Sequence, residues 1–237
     1  MLPNSPATIY ADGASVDGMI EAKTKWPISG FTTNPTLMKR AGVSDYLSFA
    51  KEALAAVDGL PISFEVFADD FTTMQKEAEK LATLGQNVFV KIPITNTKGE
   101  SSVPLIKKLS TEGIQINATA ILTYKQVKSV AEALSKDTQN IISVFAGRLA
   151  DTGVDPVPLM KQSQALVNQY PQASLLWASS RELLNVFQAE NLGIDIITVT
   201  NPILEKMKMI GLDPTELSLD TVKEFHNDVK ALGFSIL

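Results

Sequence analysis

The 237-residue chain has no cysteine. That excludes disulfides, a thiolate nucleophile and Cys-ligated zinc. It has one histidine, His226, which excludes His-x-x-x-His metal sites and argues against a Ser-His-Asp triad. A Gly-x-Gly-x-x-Gly turn after the first apolar run and a P-loop are both missing. No apolar run is long enough to span a bilayer, so no membrane partner is expected. The opening Met1-Leu2-Pro3-Asn4-Ser5-Pro6 lacks a basic region followed by an apolar stretch. The expectation is therefore no signal peptide and a cytoplasmic location. Basic residues are the minority, 21 against 26 acidic, for a net charge of −5. That argues against a broad nucleic-acid surface, but not against one small anion held by a pair of arginines.

What is present is an alternation. With 45% apolar and 20% charged residues, the chain can bury a core. Eight short runs rich in apolar and β-branched residues predict strands at 7–12, 28–34, 62–68, 87–94, 115–122, 140–146, 174–179 and 195–200. Helical periodicity predicts helices at 16–25, 44–57, 71–84, 101–111, 124–134, 156–168, 181–190 and 204–209, with a last one at 219–232. Thr72-Thr73-Met74-Gln75 and Thr123-Tyr124-Lys125-Gln126 both fit a capping box. Gly85 and Gly113 stand where a left-handed stop residue is expected.

The strands are nearly continuous in apolar residues, as in Val88-Phe89-Val90 and Ile141-Ile142. Strands buried on both faces read this way, which means a parallel sheet covered by helices. Eight such units in this length predict one domain over 1–237, an α/β (β/α)8 TIM barrel. An open doubly wound sheet is the alternative. The stripe Leu219, Val222, Phe225 and Val229 on the last helix is expected to pack on its own barrel. His226, on the polar face of the same helix, is expected to face solvent.

Barrels of this kind project catalytic side chains from the C-terminal ends of their strands. Lys91 lies inside the apolar run Val88-Phe89-Val90-Lys91-Ile92-Pro93. A buried ammonium is costly, and burial favours the neutral amine. Lys91 is thus either a nucleophile able to form a Schiff base with a ketone or a structural lysine paired with Glu65 of the preceding strand. Glu65 is either an acid/base group or that partner. Asp12 is an acid/base candidate, or it simply opens the turn Asp12-Gly13. Asn34-Pro35 reads equally as a helix cap followed by proline at the first helical position. Asn117, Thr119 and Ser143 are ligand contacts or satisfied polar groups of a barrel core. Arg181, predicted in the first turn of a helix, opposes the helix dipole unless an anion binds there. Arg148 follows the neighbouring strand and would add a second fork of donors. The alternatives are local ion pairs, Arg181 with Glu182 and Arg148 with Asp151.

In sequence order, these residues resemble a known pattern. Gly30-Phe31-Thr32-Thr33-Asn34-Pro35-Thr36-Leu37-Met38, Val90-Lys91-Ile92-Pro93, Asn117-Ala118-Thr119, Ser143-Val144-Phe145-Ala146-Gly147-Arg148 and Ala178-Ser179-Ser180-Arg181 are similar to motifs of the transaldolase family, in its small-subunit branch. The resemblance runs from Ile9 to about Val199. It implies a barrel that moves a dihydroxyacetone unit from a ketose phosphate, of the sedoheptulose 7-phosphate or fructose 6-phosphate type, to an aldose phosphate. It implies that Lys91 forms the Schiff base and that Asp12 shuttles the proton of the substrate hydroxyl. Glu65 and Thr119 would position a catalytic water. Asn34, Asn117 and Ser143 would hold hydroxyls of the three-carbon unit, and Arg148, Ser179 and Arg181 the phosphate of the sugar. It implies no metal, no organic cofactor, sugar-phosphate partners and a homo-oligomer.

The family also contains aldolases of the fructose-6-phosphate aldolase type, which release free dihydroxyacetone. In that branch a Tyr stands at the position of Phe145 and a Gln at that of Glu65, so both positions resemble the transferase. A phenol can hold a water that a phenyl ring cannot. Two positions depart from the family pattern. Gly13 stands where a Thr is expected, and Ser180 replaces an aromatic. The second departure leaves open a sulfonated or otherwise modified sugar. A sugar-phosphate-binding barrel without catalysis is the remaining alternative.

Overall fold

Side chains alternate across a strand, so a strand covered on both sides needs apolar residues at every position except those facing a ligand. A computed structural model describes residues 7–234 and 236. The opening 1–6, on which the signal-peptide expectation rests, lies outside the described residues.

All eight predicted strands form. They are β1 (Thr8–Asp12), β2 (Gly30–Thr32), β3 (Ile62–Glu65), β4 (Val88–Pro93), β5 (Ile116–Ile121), β6 (Asn140–Val144), β7 (Ala173–Trp177) and β8 (Ile196–Thr200). They pair in parallel in chain order, and β8 closes on β1 through Thr8↔Ile196 to Asp12↔Thr200. The open-sheet alternative is thereby excluded. Connecting helices are α1 (Val16–Lys25), α2 (Pro35–Ala41), α3 (Tyr46–Val57), α4 (Phe71–Ala82), α5 (Val103–Thr111), α6 (Tyr124–Ala133), α7 (Ala146–Ala150), α8 (Val157–Val167), α9 (Leu184–Leu192) and α10 (Asn201–Glu205). The strands are mostly shorter than predicted. The apolar continuation 66–68, for example, already belongs to a loop.

The two faces of the wall differ sharply. On β4, Val88, Val90 and Ile92 face the helix layer while Phe89 and Lys91 face the interior. The interior has a floor of Tyr10, Phe89, Ile141, Leu176 and Ile196 packed together. Toward the strand C-termini the inward positions turn polar: Asp12, Thr32, Ser63, Glu65, Lys91, Asn117, Ser143 and Thr198. The register places them side by side, with Asp12↔Thr32, Thr32↔Ser63, Glu65↔Lys91 and Lys91↔Asn117.

Local signals are only partly realised. Thr123 and Gln126 form the predicted capping box of α6, and Gly113 adopts a left-handed φ of 89° after α5. The other box fails, because Asp70 rather than Thr72 caps α4, accepting from the Thr73 N–H at 2.8 Å. Carboxylates cap as well as hydroxyls, and the earlier one captures the free N–H groups. Gly85 is not left-handed. A Cβ there would sit 2.8 Å from Asn87 Oδ1, so its smallness serves close packing.

One compact unit runs to Leu204 and a second begins at Glu205. The second holds a 3-10 helix (Lys206–Met209) and α11 (Pro214–Leu232). Helix α11 starts five residues before the predicted 219, because Asp213 caps it and Pro214 takes its first position. The stripe expected to be buried is exposed. No residue of α11 is buried, and Phe225 is 63% accessible. His226 is exposed as expected. Among the described residues no helix is long and apolar enough to cross a membrane.

Gly30 lets the Tyr10 ring lie inside the barrel, since a Cβ at that position would fall 2.5 Å from two ring carbons. Gly30→Ala is therefore expected to destabilise the barrel by about 1–3 kcal/mol, as overpacked cores do. Urea denaturation measures this, and an unchanged midpoint would show that the ring has another place to go.

Candidate active site

Lys91 is the fourth of six residues in β4 and is 5% exposed. Its Nζ donates to the Thr33 carbonyl at 2.8 Å and lies 3.4 Å from Glu65 Oε2. The pairing offered by the structural reading is therefore present. It does not exclude the chemical reading, because Lys91 also lines a cavity.

Glu65 ends β3 and Asp12 ends β1. Burial pushes both carboxyls above their ordinary range. For Asp12 the nearby Lys91 and a hydrogen bond from Thr32 pull back. For Glu65 the pull comes from Lys91, while Asp12 adds to the upward push. Asp12 Oδ1 accepts from Thr32 Oγ1 at 2.7 Å, and Thr32 Oγ1 shares a 2.5 Å hydrogen bond with Thr198 Oγ1. The Gly13 N–H donates to the Thr32 carbonyl at 3.0 Å. Asp12 is thus tied to the next strand and is more than the first residue of a free turn.

Asn34 fills both roles offered to it. Its Oδ1 accepts from the Leu37 N–H at 3.0 Å, Pro35 follows at the first position of α2, and the residue also lines the cavity. Asn117 is fully buried, donating to Ser63 Oγ at 2.9 Å and accepting from Ser143 Oγ at 2.7 Å. Thr119 is 1% exposed, and its Oγ1 has no hydrogen-bond partner among the described residues. A buried hydroxyl without a partner is costly unless a ligand or water completes it.

The arginines correct the prediction. Arg181 is not in a helix. Helix α9 begins at Leu184, and the backbone N–H groups of Arg181 and Glu182 donate instead to Asn185 Oδ1. The dipole argument for Arg181 therefore falls. Neither predicted ion pair forms among the described residues. Asp151 binds Arg181 through Nε at 3.1 Å and through Nη2, while Arg148 lies 5.9 Å from the centroid of the Phe145 ring. Among the described residues no carboxylate pairs with Arg148.

Helix α7 after β6 and the loop after β7 interlock at this end. Gly147 N–H reaches the Ala178 carbonyl at 3.4 Å, and a Cβ on Gly147 would fall 1.6 Å from the Ser179 carbonyl oxygen. Ser179 itself holds a left-handed φ of 63°, a strained position for a residue with a side chain. Ser180 donates to the Thr198 carbonyl at 2.8 Å, so its hydroxyl is committed to the wall.

A cavity of about 380 Å³ collects most of these groups. Asp12, Asn34, Glu65, Lys91, Ser143, Phe145, Arg148, Ser179 and Arg181 all line it. Asn117 and Thr119 are not on its surface. They sit among the buried interior groups, and Asn117 is hydrogen-bonded to Ser143, which does line the cavity. Thr32, Thr198 and Arg40 also line it, and sequence reading did not select them. The two threonines were legible in principle as inward positions of β2 and β8, one pleat from Asp12. Arg40 lies beyond the strand end on α2 and had no such signal.

Because the Asp12 carboxyl is raised above 3.8, its contribution to stability is complete below the unfolded value. That contribution is lost as pH rises through the folded value. Asp12→Asn removes this dependence. The stability of the variant relative to the parent is expected to rise between pH 4.5 and 8, by at most about 1.4 kcal/mol per pH unit. Urea denaturation at both pH values tests it. A difference that falls with pH would mean that Asp12 is stabilised as a carboxylate.

The sequence matches the family described as Transaldolase/Fructose-6-phosphate aldolase over residues 9–236. A protein named Probable transaldolase from Thermoanaerobacter sp. (strain X514) is 35% identical over 216 residues, covering 91% of this chain and 94% of the relative. Another of that name from Ruegeria sp. (strain TM1040) is 31% identical over 229 residues, covering 96% and 99%. Among solved structures, KGPDC from Streptococcus mutans superposes with a TM-score of 0.55 at 11% identity, covering 84% of this chain and 90% of that one. That likeness concerns the fold alone. The motif resemblance, the closed barrel and the family match agree: the chain belongs to the transaldolase/fructose-6-phosphate aldolase family and is an enzyme of the aldolase/transaldolase type.

Proposed function

We propose that the protein is a transaldolase that works through a Schiff base on Lys91 and moves a dihydroxyacetone unit between sugar phosphates. The observation that carries this reading is the placement of a 5%-exposed amine in a cavity beside two carboxyl groups whose proton affinity is raised by burial. The Lys91 amine attacks the ketose carbonyl and a C–N bond forms. Glu65 relays a proton to the carbonyl oxygen, water leaves, and an iminium remains. The Asp12 carboxylate then takes the proton of the hydroxyl on the carbon beyond the bond to be broken. That carbon–carbon bond breaks, its electron pair passes into the iminium to give an enamine, and an aldehyde departs. The enamine attacks the acceptor aldehyde, Asp12 returns the proton to the new alkoxide, and water hydrolyses the imine.

Thr119 fits the relay because its hydroxyl has no protein partner among the described residues, so it can help hold the water that Glu65 uses. Asn34, Ser143 and, through Ser143, Asn117 would hold hydroxyls of the three-carbon unit. Arg148, Ser179 and Arg181 would take the phosphate. Phe145 packs on the apolar floor and its side chain offers no hydrogen-bonding atom. A dry enamine waits for its acceptor, which favours transfer over simple cleavage. The expectations of a homo-oligomer and of a cytoplasmic role in carbohydrate metabolism go with this reading.

Reduction with borohydride in the presence of fructose 6-phosphate is expected to add one ketose-derived mass to Lys91, read by intact and peptide mass spectrometry. Lys91→Ala should show no adduct and lose turnover by at least about 10³-fold, with circular dichroism checking the fold because removal of one partner of a buried pair is destabilising. An adduct elsewhere, or none, would refute the mechanism. A second assay omits the acceptor. Product formation should then fall at least tenfold, and rapid release of free dihydroxyacetone would instead assign an aldolase.

A further inference from the structure

The backbone ladder that joins β2 to β3 stops one step short of Glu65. In a parallel pair every second residue of a strand donates to the same neighbour. The Phe31 N–H donates to the Pro61 carbonyl at 2.8 Å, and the Thr33 N–H to the Ser63 carbonyl at 3.1 Å. The next step of that series pairs residue 35 with the carbonyl of Glu65. Residue 35 is proline, which has no N–H to give.

Tyr46 takes the vacant role. Its O–H donates to the Glu65 carbonyl at 2.9 Å. Tyr46 is the first residue of α3, whose start is fixed by Asp45 accepting from the Ser48 N–H. The ring lies edge-on to Phe64, with centroids 6.2 Å apart, and tilted against Phe67 at 4.6 Å. Burial pushes the hydroxyl above the ordinary phenol range, and Glu65 and Glu77 add to the rise, so it stays protonated and remains a donor. The chain beyond Glu65 is held as well. The Val66 N–H donates to the Lys91 carbonyl at 3.1 Å. Glu77 of α4 accepts from the N–H groups of Phe67 and Ala68 at 2.7 and 2.9 Å.

We propose that Tyr46 is a positioning residue for Glu65. Its O–H replaces the ladder donor that Pro35 lacks and holds the end of β3 where the Glu65 carboxyl meets the Lys91 amine, at 3.4 Å. Tyr46 does not line the catalytic cavity, so it acts through Glu65 and not on the substrate. The inference rests on the reading of Glu65 as the proton relay of Schiff-base formation.

The rate at which fructose 6-phosphate forms the Lys91 adduct, followed by timed borohydride quenching and intact mass, isolates that step. Tyr46→Phe keeps the ring and removes only the O–H. It is expected to slow adduct formation at saturating sugar at least about fivefold and to change the half-saturating concentration less than about twofold. In a Glu65→Gln background the same substitution should cost less than about twofold, because the group it positions no longer relays a proton. A residue that only stabilises the barrel costs the same in both backgrounds. Adduct reaching one per chain at long times shows that each variant keeps a folded site. A smaller cost in the parent, a larger one in the Glu65→Gln background, or an effect confined to the half-saturating concentration would overturn the inference. Glu65→Gln as fast as the parent would overturn the relay reading and this inference with it, whereas a slow Glu65→Gln beside an unaffected Tyr46→Phe overturns the inference alone.

Discussion

The arrangement of this barrel turns on one buried ammonium-bearing side chain. Lys91 is almost wholly buried, so the surrounding strands must supply most of its partners. They do so with the Thr33 carbonyl and the Glu65 carboxyl. Glu65 is raised by burial and by Asp12, and Asp12 is raised by burial and held by Thr32. Two carboxyls with raised proton affinity therefore stand beside one buried amine. Such a set exchanges protons readily, which is what carbinolamine, imine and aldol steps demand.

The neighbouring polar groups follow from that constraint. Asn117 is satisfied by Ser63 and Ser143, and Thr32 joins Asp12 to Thr198. These contacts lock the layer above the apolar floor. At the other side of the mouth the restraint is steric. The absence of a side chain on Gly147 lets α7 and the loop after β7 come together, and the Arg181–Asp151 pair fastens them. Asp151 orients the Arg181 fork and also removes part of its charge. Arg148 and Arg40 are then the cations of the cavity wall without a carboxylate partner among the described residues.

Much of this was legible beforehand, for identifiable reasons. Lys91 and Glu65 stood out because charges interrupt strands that are otherwise apolar. Asn34 stood out because a cap followed by proline has a local signature, and the cap is there. The failures were those of local rules applied without neighbours. Arg181 looked helical because the periodicity of the following residues extends back to it, but Asn185 takes the backbone N–H groups a first turn would expose. Thr72 lost the cap of α4 to Asp70. The apolar stripe of α11 had the spacing of a buried face, and spacing does not say what covers it.

The sequence by itself determined the number and kind of elements and the strands that carry charge, because periodicity and the cost of burying an ion are properties of short segments. The family motifs it carries are likewise contiguous strings. Only the tertiary structure decided which partners each group finds. That Lys91 rests on the Thr33 carbonyl, that Arg181 takes Asp151, and that Tyr46 reaches the Glu65 carbonyl all depend on barrel register and loop packing. Those contacts join residues far apart in the chain, and their energies depend on distances of a few ångströms that no local pattern encodes.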